Sequence, residues 1–66
     1  MKTNKMKMQI AMARAKMRSD KLSELTGLSR TSIGRMIGGA ECKPFNLGKV
    51  AEALGVDVTE LIDMEQ

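Results

Sequence analysis

The chain has 66 residues and a formal net charge of +3, with no His and a single Cys. A chain this short buries only about 60% of the surface it exposes when unfolded, so it forms one small domain with no cleft between subdomains. Without His, zinc sites of the Cys/His kind and imidazole acid–base chemistry are excluded, and one Cys cannot close an internal disulfide.

Charge is distributed unevenly. Residues 1–43 hold ten Lys or Arg against three Asp or Glu, whereas residues 44–66 hold Lys49 against five acids. A basic part of this kind attracts a polyanion, although the same charges also suit the coat of any small soluble domain. Residues 1–5 read as a basic arm and residues 6–63 as a single domain. The basic start leads into no long apolar run, because Gln9, Arg14 and Lys16 interrupt it. Neither a secretory signal nor a membrane span fits there, and a free thiol points to the cytoplasm.

Turn signals divide the chain into five pieces of helical periodicity. The first runs from about Met6 to Lys16, with Met8, Ala11, Met12 and Ala15 forming one apolar stripe. The second spans Ser19 to Thr26, with Leu22 and Leu25 inward and Gly27 positioned to end it. Its start is ambiguous: the staple spacing Met17/Leu22 puts Arg18 at the N-cap, while Ser19 is the better cap chemically. The third begins after the N-cap Ser29, turns Ile33, Met36 and Ile37 inward, and stops at Gly38-Gly39. Asn46 is read as the cap of the fourth, whose stripe is Leu47, Val50, Ala51 and Leu54, with Gly55 ending it. The fifth starts at Asp57, where Asp57 and Glu60 have capping-box spacing and Val56 and Leu61 have staple spacing.

The predicted core comprises Leu22, Leu25, Leu28, Ile33, Met36, Ile37, Leu47, Val50, Leu54, Val56, Leu61 and Ile62. Met8, Met12, Met17 and Met36 are read as fillers of core gaps rather than a sticky groove.

Ser19 to Gly38 carries the chemistry. Two helices joined by a short turn containing Gly form the unit that presents a second helix to the major groove of DNA. Three requirements coincide: small Ser23 where the helices cross, Gly27 in the turn, and apolar Ile33 and Met36 on the inner face of the second helix. The run Leu22-Ser23-Glu24-Leu25-Thr26-Gly27-Leu28-Ser29-Arg30-Thr31-Ser32-Ile33 closely resembles the helix-turn-helix of the Cro/repressor (XRE) family. Ala53-Leu54-Gly55-Val56 and the Lys43-Pro44 link extend the resemblance to residues 8–62. It implies an all-α, five-helix, lambda-repressor-like DNA-binding domain in which helices 2 and 3 are the helix-turn-helix. Departures from the family pattern are Ser19 where Gln is usual, Gly38 where Asn is frequent, and apolar Met12 and Ile37 where members often place an Arg–Glu pair. An apolar pair replaces a buried ion pair at little or no loss of stability.

On the third helix Arg30, Thr31, Gly34, Arg35 and Gly38 point outward. Arg bonds guanine O6 and N7, and Thr bonds a base or touches a thymine methyl, so Arg30, Thr31 and Arg35 are the base-reading candidates. The alternative for both arginines is phosphate contact alone. Arg18, Ser19, Ser32, Lys43 and the backbone N–H groups at Gly38 and Gly39 are the candidates for the DNA backbone. Gly34 reads either as bare backbone for close approach or as a tolerated surface glycine. Phe45 is the only aromatic residue, so there is no stacking platform for single-stranded bases.

The resemblance implies a homodimer on double-stranded DNA, with Phe45 and Val58 as interface candidates; the alternative for Phe45 is the core. The function expected is a Cro-like transcriptional regulator, a repressor on a pseudo-palindromic operator. An antitoxin or other protein-interaction module is the second reading, although the tail Asp63-Met64-Glu65-Gln66 is short for wrapping a partner. No enzyme, metal, cofactor, small-molecule ligand or membrane partner is expected.

Overall fold

The computed structural model describes residues 1–63, so the tail beyond Asp63 lies outside the described residues. Four α-helices are followed by one 3₁₀ turn: α1 (Lys5–Ala15), α2 (Ser19–Thr26), α3 (Arg30–Ile37), α4 (Pro44–Leu54) and the turn Val58–Glu60. α2 packs on α3 and α4, and α1 also packs on both of them. None of the helices is long and apolar enough to cross a membrane among the described residues.

Caps and turns account for the boundaries. Asn4 caps α1 by accepting from the Lys7 N–H at 2.9 Å, and the helix closes on Lys16 in the left-handed region (φ 56°). α1 therefore begins and ends one residue earlier than the expected span from about Met6 to Lys16. α2 starts after Arg18, which makes no side-chain cap bond, so Ser19 is the first helical residue rather than the cap. Gly27 ends it at φ 77°, a conformation only Gly adopts without strain.

The fourth helix corrects the sequence reading. It starts at Pro44, two residues before Asn46, with Lys43 at the N-cap and no side-chain cap bond. Pro suits the first helical position, since its ring presets φ and no intrahelical partner awaits an N–H there.

The fifth helix is also corrected, to a single 3₁₀ turn. Its cap forms as the spacing suggests: Asp57 accepts from the Thr59 N–H at 2.9 Å, and the Glu60 side chain accepts from the Asp57 N–H at 3.2 Å. The two carbonyls beyond the turn are engaged by the N-terminal part of the chain. Leu61 accepts from the Asn4 N–H at 2.8 Å, and Ile62 accepts from the Lys7 ammonium at 2.8 Å.

The core is formed by Met8, Leu22, Ile33, Met36, Leu47, Val50 and Leu61, all fully buried, with Ala11, Ala51, Leu54 and Ile62 completing it. Met12, Met17, Leu28, Ile37 and Val56 pack against its edge, half-buried. Leu25 departs from the prediction and is 51% exposed. Leu22 takes the interior position of α2, and Leu25, rotated from it, overhangs a surface depression lined by Thr26, Lys49, Glu52 and short Ala53. Nothing tall enough stands there to cover it.

The N-terminal segment lies along the domain instead of leaving it. Thr3 is buried, and its hydroxyl donates to the Met36 carbonyl in the last turn of α3. The Cys42 N–H donates to the Met1 carbonyl at 2.7 Å, and Lys2 forms an antiparallel bridge with Glu41.

Two stability predictions follow from these local features. Hydrogen bonds from the Thr59 N–H, and then from its hydroxyl, hold the Asp57 carboxyl below the usual carboxylate range. A group depressed by folding stabilises the native state above its unfolded pKa and loses that contribution as pH falls through the folded one. Asp57→Ala should therefore lower the melting temperature at neutral pH, and the gap to wild type should close in acid. Gly34 is exposed and helical, and a Cβ there would meet nothing within 4 Å. Gly34→Ala should stabilise by about 1 kcal/mol, raising the melting temperature by roughly 4–8 °C in a thermal melt.

Candidate nucleic-acid interface

An eight-residue helix makes about two turns, so two inward side chains at i and i+3 fix its orientation. In α3 these are Ile33 and Met36, with relative exposures of 0% and 2%. Half-buried Ile37 extends the anchored side toward the helix end.

The turn that delivers α3 is held by side chains as well as by Gly27. The Ser23 hydroxyl donates to the Leu28 carbonyl at 2.5 Å, and the Gly27 N–H donates to the Ser23 carbonyl at 2.9 Å. The Thr26 hydroxyl donates to the Leu22 carbonyl at 2.6 Å and accepts from the Leu28 N–H at 3.2 Å. Ser23 thus does more than allow a close crossing. It bonds the far side of the turn, a role that its size alone does not reveal.

At the start of α3, the Ser29 hydroxyl oxygen accepts from the Ser32 N–H at 3.1 Å and lies 3.1 Å from the Ser32 hydroxyl. The Arg30 and Thr31 N–H groups belong to the first turn, where no intrahelical acceptor exists, and the helix dipole makes this end positive.

The opposite side of α3 carries Arg30, Thr31, Gly34 and Arg35, all exposed. Among the described residues, Arg18, Arg30, Arg35 and Lys43 form no salt bridge, whereas Lys7, Arg14 and Lys21 pair with Asp63, Glu60 and Glu24. The cations without carboxylate partners therefore include those on α3 and at its flanks.

Three of the sequence-predicted residues gather in one place, and the others stand at helix starts. Ser32, Arg35 and Lys43 line one groove of about 300 Å3 together with Met36, Glu41, Cys42 and Asn46. Arg30 and Thr31 stand at the N-terminal end of α3, while Arg18 and Ser19 stand at the start of α2, with Ser19 half-buried.

Asn46 is a groove residue that the sequence reading assigned to a helix cap. Its place follows from the earlier start of α4, which Pro44 at the first helical position could have signalled. Glu41 is an exposed carboxylate in the same groove. Burial pushes the Cys42 thiol up, so it stays protonated at neutral pH and is a poor nucleophile.

The backbone donors at Gly38 and Gly39 need correction. The Gly38 N–H donates to the Gly34 carbonyl at 3.0 Å, and the Gly39 N–H donates to the Met36 carbonyl at 3.1 Å. Both donors are committed to the helix end, so these glycines offer an outside molecule bare surface rather than a free N–H. Gly39, at φ 83°, also lies under the Lys5 side chain, whose Cγ would stand 2.9 Å from an added Cβ.

Phe45 is 74% exposed, which removes its reading as core, and the Lys49 ammonium lies 5.2 Å from its ring centroid. Val58 is half-buried against the core.

Residues 7–66 match the Cro/C1-type HTH DNA-binding domain family. Neither the curated proteins nor the solved structures give a match.

The cap gives this surface a direct test. Ser29→Ala should cost about 1 kcal/mol in a denaturant melt, and Ser29→Asn should recover most of it, because Asn supplies the same acceptor.

Proposed function

The chain belongs to the Cro/C1-type helix-turn-helix DNA-binding domains, and from that premise we propose that it is a transcriptional repressor that binds a pseudo-palindromic operator in double-stranded DNA as a homodimer, through α3. One observation supports this most strongly. The exposed side of α3 presents Arg30, Thr31 and Arg35 with no carboxylate paired to either arginine among the described residues, while Ile33 and Met36 anchor the helix from behind.

In this reading Arg30 and Arg35 donate paired bonds to guanine O6 and N7, and Thr31 bonds a base edge or packs on a thymine methyl. Arg18, Ser19, Ser32 and Lys43 hold phosphates to either side, and the bare surface of Gly38 lets the DNA backbone come close. Such contacts set register and carry no sequence information themselves. The groove that joins Ser32, Arg35 and Lys43 supports assigning one base reader and two phosphate binders to neighbouring positions.

A domain of this size covers a half-site, so a dimer with half-sites about one helical turn apart supplies the specificity of a full operator. Phe45 is the favoured interface residue because it is a large apolar side chain left exposed outside the α3 surface. Val58 contributes from the 3₁₀ turn. Occupancy of the operator in the cytoplasm then excludes polymerase, and the protein's own concentration sets the response.

Selection of bound sites from a random duplex pool tests the reading and reports symmetry and spacing together. On the selected operator, Arg30→Ala and Arg35→Ala should each lose about 1–3 kcal/mol of binding, roughly 5- to 150-fold in Kd, and relax sequence preference at one position per half-site. Selection without any enriched sequence, or two alanine variants that bind as wild type does, contradicts the assignment.

A further inference from the structure

The C-terminal end of a helix carries partial negative charge and repels phosphate, and the donors at Gly38 and Gly39 are already committed to Gly34 and Met36. Positive charge at this end of α3 must then come from side chains. Arg35 and Lys43 are two sources. A third source lies in the N-terminal segment, whose position the fold fixes through several contacts, four of them close to the end of α3. The Thr3 hydroxyl donates to the Met36 carbonyl. The Cys42 N–H donates to the Met1 carbonyl at 2.7 Å. Lys2 bridges Glu41, a residue that lines the groove beside Arg35. The stem of Lys5 covers bare Gly39.

We propose that residues 1–5 form a fixed cationic edge of the DNA-facing surface, in which Lys2 and Lys5 meet phosphate beyond the C-terminal end of α3 and Thr3 is the positioning residue that holds them there. The inference rests on the DNA-binding reading above and adds residues and a mechanism to it. Thr3 is the one buried polar residue among the described residues, with 6% of its surface exposed, and its hydroxyl is satisfied by the recognition helix itself. Its registry with α3 is therefore specific rather than a general apolar contact. Lys2 and Lys5 are exposed and form no salt bridge among the described residues. Lys7 is different. Its ammonium donates to the Ile62 carbonyl at 2.8 Å and faces Asp63 at 3.7 Å, so it is committed to the opposite end of the chain.

The salt dependence of binding to a mixed-sequence DNA duplex separates these roles, since each phosphate contact contributes about 0.9 to the slope of log K against log salt. The combined variant Lys2→Met with Lys5→Met keeps both apolar stems and should flatten the slope by about 1–2. Lys7→Met should leave the slope at the wild-type value. Thr3→Val should flatten it as the lysine pair does and add nothing further when combined with that pair, while Thr3→Ser should restore the wild-type slope. A Thr3→Val protein that melts earlier yet keeps the full slope would make Thr3 merely structural and overturn its positioning role. An unchanged slope in the Lys2/Lys5 variant, with wild type binding well, overturns the cationic edge and leaves the α3 reading intact. Wild type that ignores duplex DNA even at low salt overturns both.

Discussion

The anchoring of α3 by Ile33 and Met36 is the constraint on which the rest of the molecule depends. A two-turn helix has too few backbone bonds to hold itself, and its stability comes from packing of one side. Those two side chains are buried in the core, and α3 packs on both α1 and α2, which fixes the rotation of α3 about its own axis and decides which residues face outward. The Ser29 cap, the left-handed Gly27 and the bonds of Ser23 and Thr26 across the turn then fix where the helix begins and how it leaves α2. Side chains that read base edges need this precision of presentation, because a binding group supported only by a loose backbone loses its geometry.

Electrostatics follows the same division. The acidic C-terminal part is met by cations from α1: Lys7 faces Asp63, and Arg14 faces Glu60 at 3.5 Å. These are exposed pairs and add little stability individually. Their larger effect is to partition the charge. Asp63 and Glu60 are thereby paired, and the arginines of α3 form no salt bridge among the described residues, with Glu41 the one carboxylate in the groove that Arg35 lines.

Much of this was legible in the sequence, for identifiable physical reasons. Gly27, Ser29 and the Ile33/Met36 spacing specify local conformations that tertiary packing does not override, so the helix-turn-helix and its outward residues follow from short-range chemistry. The misreadings arise where distant segments compete for the same groups. Asp57 and Glu60 do form their box, but it opens only a 3₁₀ turn, beyond which the Leu61 and Ile62 carbonyls accept from Asn4 and Lys7. Leu25 has the spacing of a core residue, yet what faces it across α4 is only Ala53 and polar side chains. The donors of Gly38 and Gly39 are consumed by the helix end, and residues 1–4 are held by contacts with distant segments, the buried Thr3 hydroxyl among them. No periodicity in a five-residue basic stretch signals that contact. Asn46 became a groove residue because Pro44 begins α4 earlier than a polar cap would.

Backbone amide NMR shifts recorded while a DNA duplex is added at low ionic strength test the central claim most directly. The account predicts that perturbations concentrate on Arg30 to Arg35, the start of α2 and the Lys43 link, with the Leu25/Ala53 depression unaffected. Shifts confined to that depression, or a spectrum indifferent to DNA, would contradict it.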